Sequence, residues 1–456
     1  MTRGTRVIVV AILAAFVPFL DGAVVNVALP AIRDDLGGGL TTQQWVVDGY
    51  LLTLGSLILL SGSLADAYGR VRIMRIGLIA FGLASIACAI APTAGFLIAA
   101  RLAQGAAGAL LVPSALALIV QEFRGVAQSA AIGTWTAWTS GAMIAGPVLG
   151  GVLVDLQDWR AVFWINVLPL AVTLWLLRGL GVEERPRAPR LDAAGAALAA
   201  VGLGGTVLAL IEVPRLGASH PLVIVSAAAG VGCLVAFAWW ETRARHPMVP
   251  PSLLRIRNVA WGNLATLAIY GALSLGSFAL TVFVQETAGY SATQAGLASL
   301  PPTLLLLLLA PRVGRLAGRY GPRLFMTVGP LVSAVGYLLL LRATDQAPYW
   351  SDLFPGIVTF GLGLALTVSP LTSAILGAVP PEHAGVGSAV NNAVARIAGL
   401  VAVAMVGLIT TQLDTAGFHA VALACAALFA IGAAVSWVGI RNPGPEAAAL
   451  EPARAD

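Results

Sequence analysis

Apolar residues fall into fourteen runs of spanning length, each closed by a charged or Pro/Gly-rich break, so the pattern predicts a series of bilayer-crossing helices. Their cores begin near Val7, Trp45, Ile73, Phe96, Ala127, Val162, Ala193, Leu222, Val259, Ala292, Phe325, Leu353, Gly385 and Ala420. The first run contains the stretch Phe19–Pro30 and, inside it, a single carboxylate, Asp21. A charge at bilayer depth costs at least a few kcal/mol, so such an acid faces a polar path for protons, ions or substrate, or else packs against a basic partner.

Composition supports a membrane solvent. The chain has 456 residues, 58% hydrophobic and only 10% charged, whereas soluble domains carry about a quarter charged residues. All 26 basic residues are arginine, and their placement is one-sided. With the N-terminus inside, twenty arginines fall on the inner side, four (Arg33, Arg160, Arg215 and Arg342) on the outer side, and Arg101 and Arg396 lie within runs. The net charge of +5 is therefore explained by the inner membrane surface, and a nucleic-acid partner is not needed. The three cysteines stand singly in apolar runs, the four histidines have no metal-ligand spacing, and no Gly-rich stretch carries the Lys and Ser/Thr of a phosphate loop. No metal, cofactor or ATP is expected, which leaves an ion gradient as the energy source. The first run is too long for a signal-peptide core and is read as a retained helix.

The chain also repeats itself. Gly62–Gly69 (GSLADAYG) follows the second run and Gly314–Gly321 (GRLAGRYG) the tenth, which implies two six-helix halves related by a parallel repeat. The boundaries follow: 1–181 for the N-terminal half, 182–258 for a linker with two extra spanners, 259–441 for the C-terminal half and 442–456 for a cytoplasmic tail.

These landmarks resemble the major facilitator superfamily and, within it, the fourteen-spanner drug:proton antiporters. Leu20-Asp21 through Val25-Asn26-Val27-Ala28-Leu29-Pro30 is similar to that branch's first-spanner motif. Gly62, Leu64, Asp66, Gly69 and Arg70 match the inner-loop motif, with Ala67 where the family usually has arginine. Arg101 with Gln104-Gly105 is similar to the fourth-spanner motif, and Gly133, Gly146-Pro147 and Gly150-Gly151 to the fifth-spanner antiporter motif, with Ala142 replacing one glycine. Asp158-Trp159-Arg160 with Asn166 and Pro169, then Gln285, Gly289-Tyr290 and Gly296, add agreement. The resemblance implies an all-α membrane protein with the major-facilitator fold, two six-helix halves plus two inserted spanners. It further implies an exporter of small lipophilic compounds, with cationic ones as candidates, in exchange for protons, expected in a bacterial cytoplasmic membrane and most simply as a monomer, while the arginine placement puts both termini inside. Rival readings are a proton-coupled importer, a polytopic enzyme or a subunit of a larger complex. The fifth-spanner glycines favour export by resemblance, and the clusters of His, Asp or Ser typical of membrane enzymes are not found.

Each candidate residue has its own argument. Glycines at Gly146 and Gly150 let a neighbouring helix approach and Pro147 invites a bend, so the helix either packs tightly or pivots. The resemblance implies that Asp66, with Gly69 and Arg70, latches the inner side, Glu122 being a partner for Arg70; the alternative is a solvated turn. Asp48 lies three residues beyond Trp45. By resemblance it hints at cationic substrates, the alternative being an interfacial acid solvated from outside. Arg396 stands one residue beyond the family's arginine and needs carbonyls, a first-half acid or an anionic substrate group. Trp135, Trp138 and Tyr270, with Trp261 and Phe360, are cavity candidates beside Asn26 and Asn391, with packing as the alternative for each aromatic. Asp21 and Arg101 both fall in the outer half of the bilayer by helix rise. Burial favours a neutral acid and an adjacent guanidinium an ionised one, so movement of Arg101 relative to Asp21 would switch proton binding; the alternative is a fixed ion pair.

Overall fold

The computed structural model describes residues 2–180, 192–244, 247–380 and 384–442, and among these the regular structure is helical. The first half comprises α1 (Arg3–Leu36), α2 (Gly39–Tyr68), α3 (Arg70–Ala89), α4 (Ala94–Glu122), α5 (Gly125–Leu156) and α6 (Ala161–Leu177). A hairpin of α7 (Ala193–Leu216) and α8 (Pro221–Glu241) comes next. It is followed by α9 (Arg257–Glu286), α10 (Ala292–Tyr320), α11 (Pro322–Leu339), α12 (Phe354–Leu376), α13 (Ala384–Ala404) and α14 (Thr415–Gly439). The expected 182–191 segment and 443–456 of the tail lie outside the described residues.

Local chemistry sets many of the helix ends. The hydroxyl of Thr93 accepts the Phe96 amide at the start of α4, and the Asp414 carboxylate accepts the Gly417 amide at the start of α14, each relieving one unpaired N–H of a first turn. Ser291 and Gln294 form a reciprocal capping box at α10. The last glycine of each repeated loop, Gly69 and Gly321, has φ of 93° and 85°. Side chains disfavour that region, so the same residue ends the same turn in both copies.

Twelve of the described helices are long and apolar enough to cross a membrane. The other two of the fourteen predicted runs are α2, 30 residues long, and the shorter apolar α6. Helix α6 breaks at Ile165 and Asn166, and Asn166 turns its amide into a buried site described below.

The packing repeats with the sequence. In the first half α4 packs on α2 and α3, α1 on α5, and α6 on α1 and α3; in the second, α12 packs on α10 and α11, α9 on α13, and α14 on α9 and α11. The hairpin packs chiefly on itself, where a side chain at Gly205 would strike the backbone of Ser226 and Gly230. It leans on α2 through Gly204 and Leu52, while Val225 and Val235 of α8 stay exposed as lipid-facing residues would. Both halves thus present one face rich in arginine, around Arg70, Arg72 and Arg323, and one arginine-poor face, around Arg33 and Arg160.

Candidate functional site

The two charges that the apolar runs could least accommodate meet inside the first half. Asp21 on α1 is 0% exposed and Arg101 on α4 is 1% exposed, with Nη1 2.5 Å from Oδ2 of Asp21. The other carboxylate oxygen accepts from Nε2 of Gln104 at 2.9 Å and from Nδ2 of Asn166 at 2.8 Å. The guanidinium also donates to the Val46 carbonyl at 3.0 Å and to Oε1 of Gln104 at 2.6 Å, and lies 4.3 Å from the centre of the Tyr50 ring. Ser85 Oγ accepts from Gln104 at 2.8 Å, and the Tyr50 hydroxyl donates to the Pro18 carbonyl. A buried charge is tolerated only when its partners are supplied, and five helices supply them here. Gly105 lets α4 approach α2 closely enough for this, since any Cβ there would strike the Tyr50 carbonyl. Gln104 and Asn166 entered the sequence reading only as motif positions; Ser85, an ordinary small polar residue in an apolar run, gave no signal.

A second constellation joins the halves at the arginine-poor face. The carboxylate of Asp155, at the end of α5, accepts from Ser291 Oγ at 2.8 Å and from the amides of Ala292 at 3.1 Å and Thr293 at 2.8 Å. It therefore sits on the N-terminus of α10, where backbone donors and the helix dipole favour an anion. Glu286 at the end of α9 pairs with Arg33 of α1 and accepts from Gln43 of α2 at 2.6 Å. Gln44 donates to the Val403 and Ala404 carbonyls of α13, and Gln285 to the Val27 carbonyl.

Backbones interlock at the same level. A side chain at Gly151 would strike Ala292 and Thr293, and one at Gly296 would strike Pro147. The fifth-helix glycines thus divide by position. Gly146 and Gly150 lie against Ala23 and Val24 of α1 and Gly151 against the other half, whereas Gly133 and Gly141, nearer the arginine-rich face, meet nothing within 4 Å. Among the described residues, the hydrogen bonds and ion pairs between the halves lie in the half nearer the arginine-poor face. This state is sealed at that face.

The remaining candidates divide as follows. Asp48 is 0% exposed, so it is not an interfacial acid solvated from outside, and both its oxygens lack a hydrogen-bond partner. Helix α2 begins at Gly39, not near Trp45, which sets Asp48 about 13 Å along the helix. Arg396 of α13 stacks its guanidinium carbon 5.2 Å from the Phe19 ring centre and has no ion pair among the described residues. Asn391 donates to Asn263 Oδ1 and Thr266 Oγ1, Asn26 to the Gly22 carbonyl, and Trp135 to the Ala11 carbonyl. Trp138 is 59% exposed, and Tyr270 is partly buried. Phe360 is a core residue packed against Tyr337 and Phe429, not a cavity residue. The expected Arg70–Glu122 pair does not form. Glu122 is bound to Arg3 at 3.2 Å, and Arg70 donates to the Ala117 carbonyl and to Gln121, because the start of α1 lies within reach of the end of α4. The side chain of Asp66 lies outside the described residues. No group of three or more metal-ligating side chains occurs among the described residues.

A helical membrane chain made of two bundles with matching packing, sealed to each other at one face and holding a buried acid–base pair, has the architecture of a secondary transporter. The family model described as Major Facilitator Superfamily matches residues 11–403 and 264–455, and the chain belongs to that superfamily; it is a transporter and not an enzyme. It is 37% identical over 404 residues to the multidrug resistance protein Stp of Mycobacterium tuberculosis, covering 87% of this chain and 74% of that one. It is 34% identical to the methylenomycin A resistance protein of Streptomyces coelicolor, covering 93% and 90%, and 32% identical to the multidrug export protein EmrB of Escherichia coli, covering 87% and 79%. Among solved structures, the fold is shared with a peptide transporter POT in complex with sulfate, with a TM-score of 0.70, 16% identity and 94% of each chain covered. It is also shared with the inward open conformation of the xylose transporter XylE from E. coli, with a TM-score of 0.64, 15% identity and 97% and 98% covered.

Proposed function

We propose that the protein is a proton-coupled exporter of small lipophilic compounds that works by alternating access, with fourteen membrane-crossing helices and the arginine-rich face in the cytoplasm of a bacterial cell. On this reading 1–181 and 259–441 are the rocking halves, 182–258 carries the inserted pair, and the sealed face is the outer one. The printed names of the relatives, drug and antibiotic resistance or export proteins, support the substrate class and direction. The observation that carries the coupling is the Asp21–Arg101 pair inside a polar network that spans α1, α3, α4 and α6. Its Asp21 carboxylate is fully partnered when the outer side is sealed. A proton would then bind Asp21 only when a rearrangement draws Arg101, Gln104 or Asn166 away, which links protonation to the state of the half. Asn26, Trp135, Trp138, Tyr270, Asn391 and Arg396 remain the candidate substrate contacts, and Asp66, Gly69 and Arg70 the inner latch.

The test is Asp21→Asn in liposomes. The substituted protein is expected to insert and to bind substrate, yet to lose transport driven by a pH gradient and substrate-induced proton release. Exchange at the parent rate would remove Asp21 from the coupling role. Direction is read separately, in cells loaded with a fluorescent lipophilic cation, where gradient-dependent accumulation instead of loss would exclude export.

A further inference from the structure

Among the described residues, Asp48 is the one acid at 0% exposure that the proposed coupling network does not use. Both carboxylate oxygens are buried and without a hydrogen-bond partner. Its place on α2 follows from its neighbours on the helix. Gln44 donates to the Val403 and Ala404 carbonyls of α13, a Cβ at Gly399 would lie 4.0 Å from Leu51, and one at Gly55 would lie 3.5 Å from the Arg396 Cβ. Positions 44, 48, 51 and 55 fall on one helical face, so Asp48 sits on the strip of α2 that closes against α13 of the other half. The adjoining side chains Trp45, Leu51 and Leu52 belong to an apolar cluster with Leu203, Val207, Leu400 and Ala404.

Among the described residues, no unpaired counter-charge is within reach of that strip. From α13 the only charged residue is Arg396, two turns deeper and stacked on Phe19. From α4 there are Arg101, which is bound to Asp21 of α1, and, at its far end, Glu122, which is bound to Arg3. From α7 there are Glu212 and Arg215, paired with each other at 2.6 Å, and from the end of α1 there is Arg33, paired with Glu286 and Asp34.

We infer that Asp48 is a second proton site, distinct from Asp21, which must be protonated before α2 and α13 can close the outer seal. The reasoning is that an ionised carboxylate with no donor and no cation is far costlier to bury than a neutral acid. Opening the outer side separates α2 from α13 and admits water, where the acid ionises freely. The sealed state therefore holds the proton more tightly than the open one, and by linkage closure is favoured as external pH falls and opposed as it rises. Because Asp48 is 0% exposed once sealed, it takes its proton from outside and returns it there on reopening. It thus conditions the return stroke on external protons, in addition to the exchange at Asp21. The inference rests on the transporter reading above, with the sealed face outside.

Outer-side distances test it. Spin labels go on Gly95→Cys, where a side chain meets open space, and Trp350→Cys, 74% exposed, in a Cys233→Ser background, since Cys88 and Cys425 are buried. In lipid nanodiscs the parent is expected to lose sealed population at least fivefold as pH rises. Asp48→Asn should stay sealed across the range, and Asp48→Glu should restore the pH response. An unchanged pH response in Asp48→Asn, or a parent with none, overturns the inference. If Asp48→Asn does not fold, infrared spectra of the sealed parent supply a second reading. A carbonyl band of a protonated acid without a hydrogen bond, shifted in Asp48→Glu, supports the inference, and its absence overturns it. Failure of proton-coupled export is read elsewhere, as undiminished exchange by Asp21→Asn in liposomes, so the two failures are distinguishable.

Discussion

Removing Asp155 from the N-terminus of α10 should unseal the arginine-poor face by an amount that the geometry allows to be worked out. The carboxylate makes three hydrogen bonds across the halves, at 2.8, 2.8 and 3.1 Å, and makes them only when the halves meet. Hydrogen bonds to charged groups are worth about 1.5–3 kcal/mol each when buried, and an anion at a helix N-terminus adds about 0.3–1 kcal/mol. Asp155 is exposed, so water and salt screen much of this, and Asp155→Ala is expected to cost the sealed state about 1–2 kcal/mol in total. That is about a 5- to 30-fold change in the ratio of sealed to open protein. Asp155→Asn, which keeps one acceptor but loses the charge, should fall between parent and alanine variant. The Gly95/Trp350 label pair reads the ratio directly, and raising the salt concentration should shrink the difference between parent and variants. A shift of less than twofold in Asp155→Ala at low salt would refute the claim that this contact holds the seal.

Two further outcomes follow from close approaches of backbone. Gly151→Val places a side chain into the backbone of Ala292 and Thr293, so it should hold the arginine-poor face open and abolish turnover while leaving expression and thermal stability near those of the parent; normal transport would show that the interlock is dispensable. Gly105→Leu strikes the Tyr50 carbonyl inside the first half, where overpacking costs about 1–3 kcal/mol, and should lower the thermal midpoint and the folded yield in either conformational state.

Much of the buried acid–base cluster could be read from sequence because the bilayer makes charge expensive. Asp21 and Arg101 had few places to go except toward each other, and they do meet. The same cost says nothing at helix ends, where water is near. Asp155, Arg33 and Glu286 look there like ordinary terminal residues until the opposing helix is known, and the seal they build was for that reason illegible. Asp48 was misplaced for a related reason. Thr41-Thr42-Gln43-Gln44 reads as a loop by polarity, yet it is the first turns of α2, its glutamines turned toward the other half. The fifth-helix glycines were legible as close-approach positions but not as gate elements, since the distinction between Gly151, pressed against α10, and Gly133, facing open space, exists only in a given state of the two halves.

Asp21 and Asp48 thus define opposite solutions to one problem within about the same depth of membrane. Asp21 is surrounded by donors from Arg101, Gln104 and Asn166 within one half, so its environment is intact whether the halves are together or apart, and only motion inside that half can alter it. Asp48 has no donor and lies on the surface between halves, so its environment changes completely when they separate. An acid of the first kind can sense substrate within its own half; an acid of the second kind can sense only whether the gate is shut. On the proposed reading, a transporter that must not reopen unprotonated has use for both: Asp48 would report closure of the seal between the halves, and Asp21 a rearrangement within its own half.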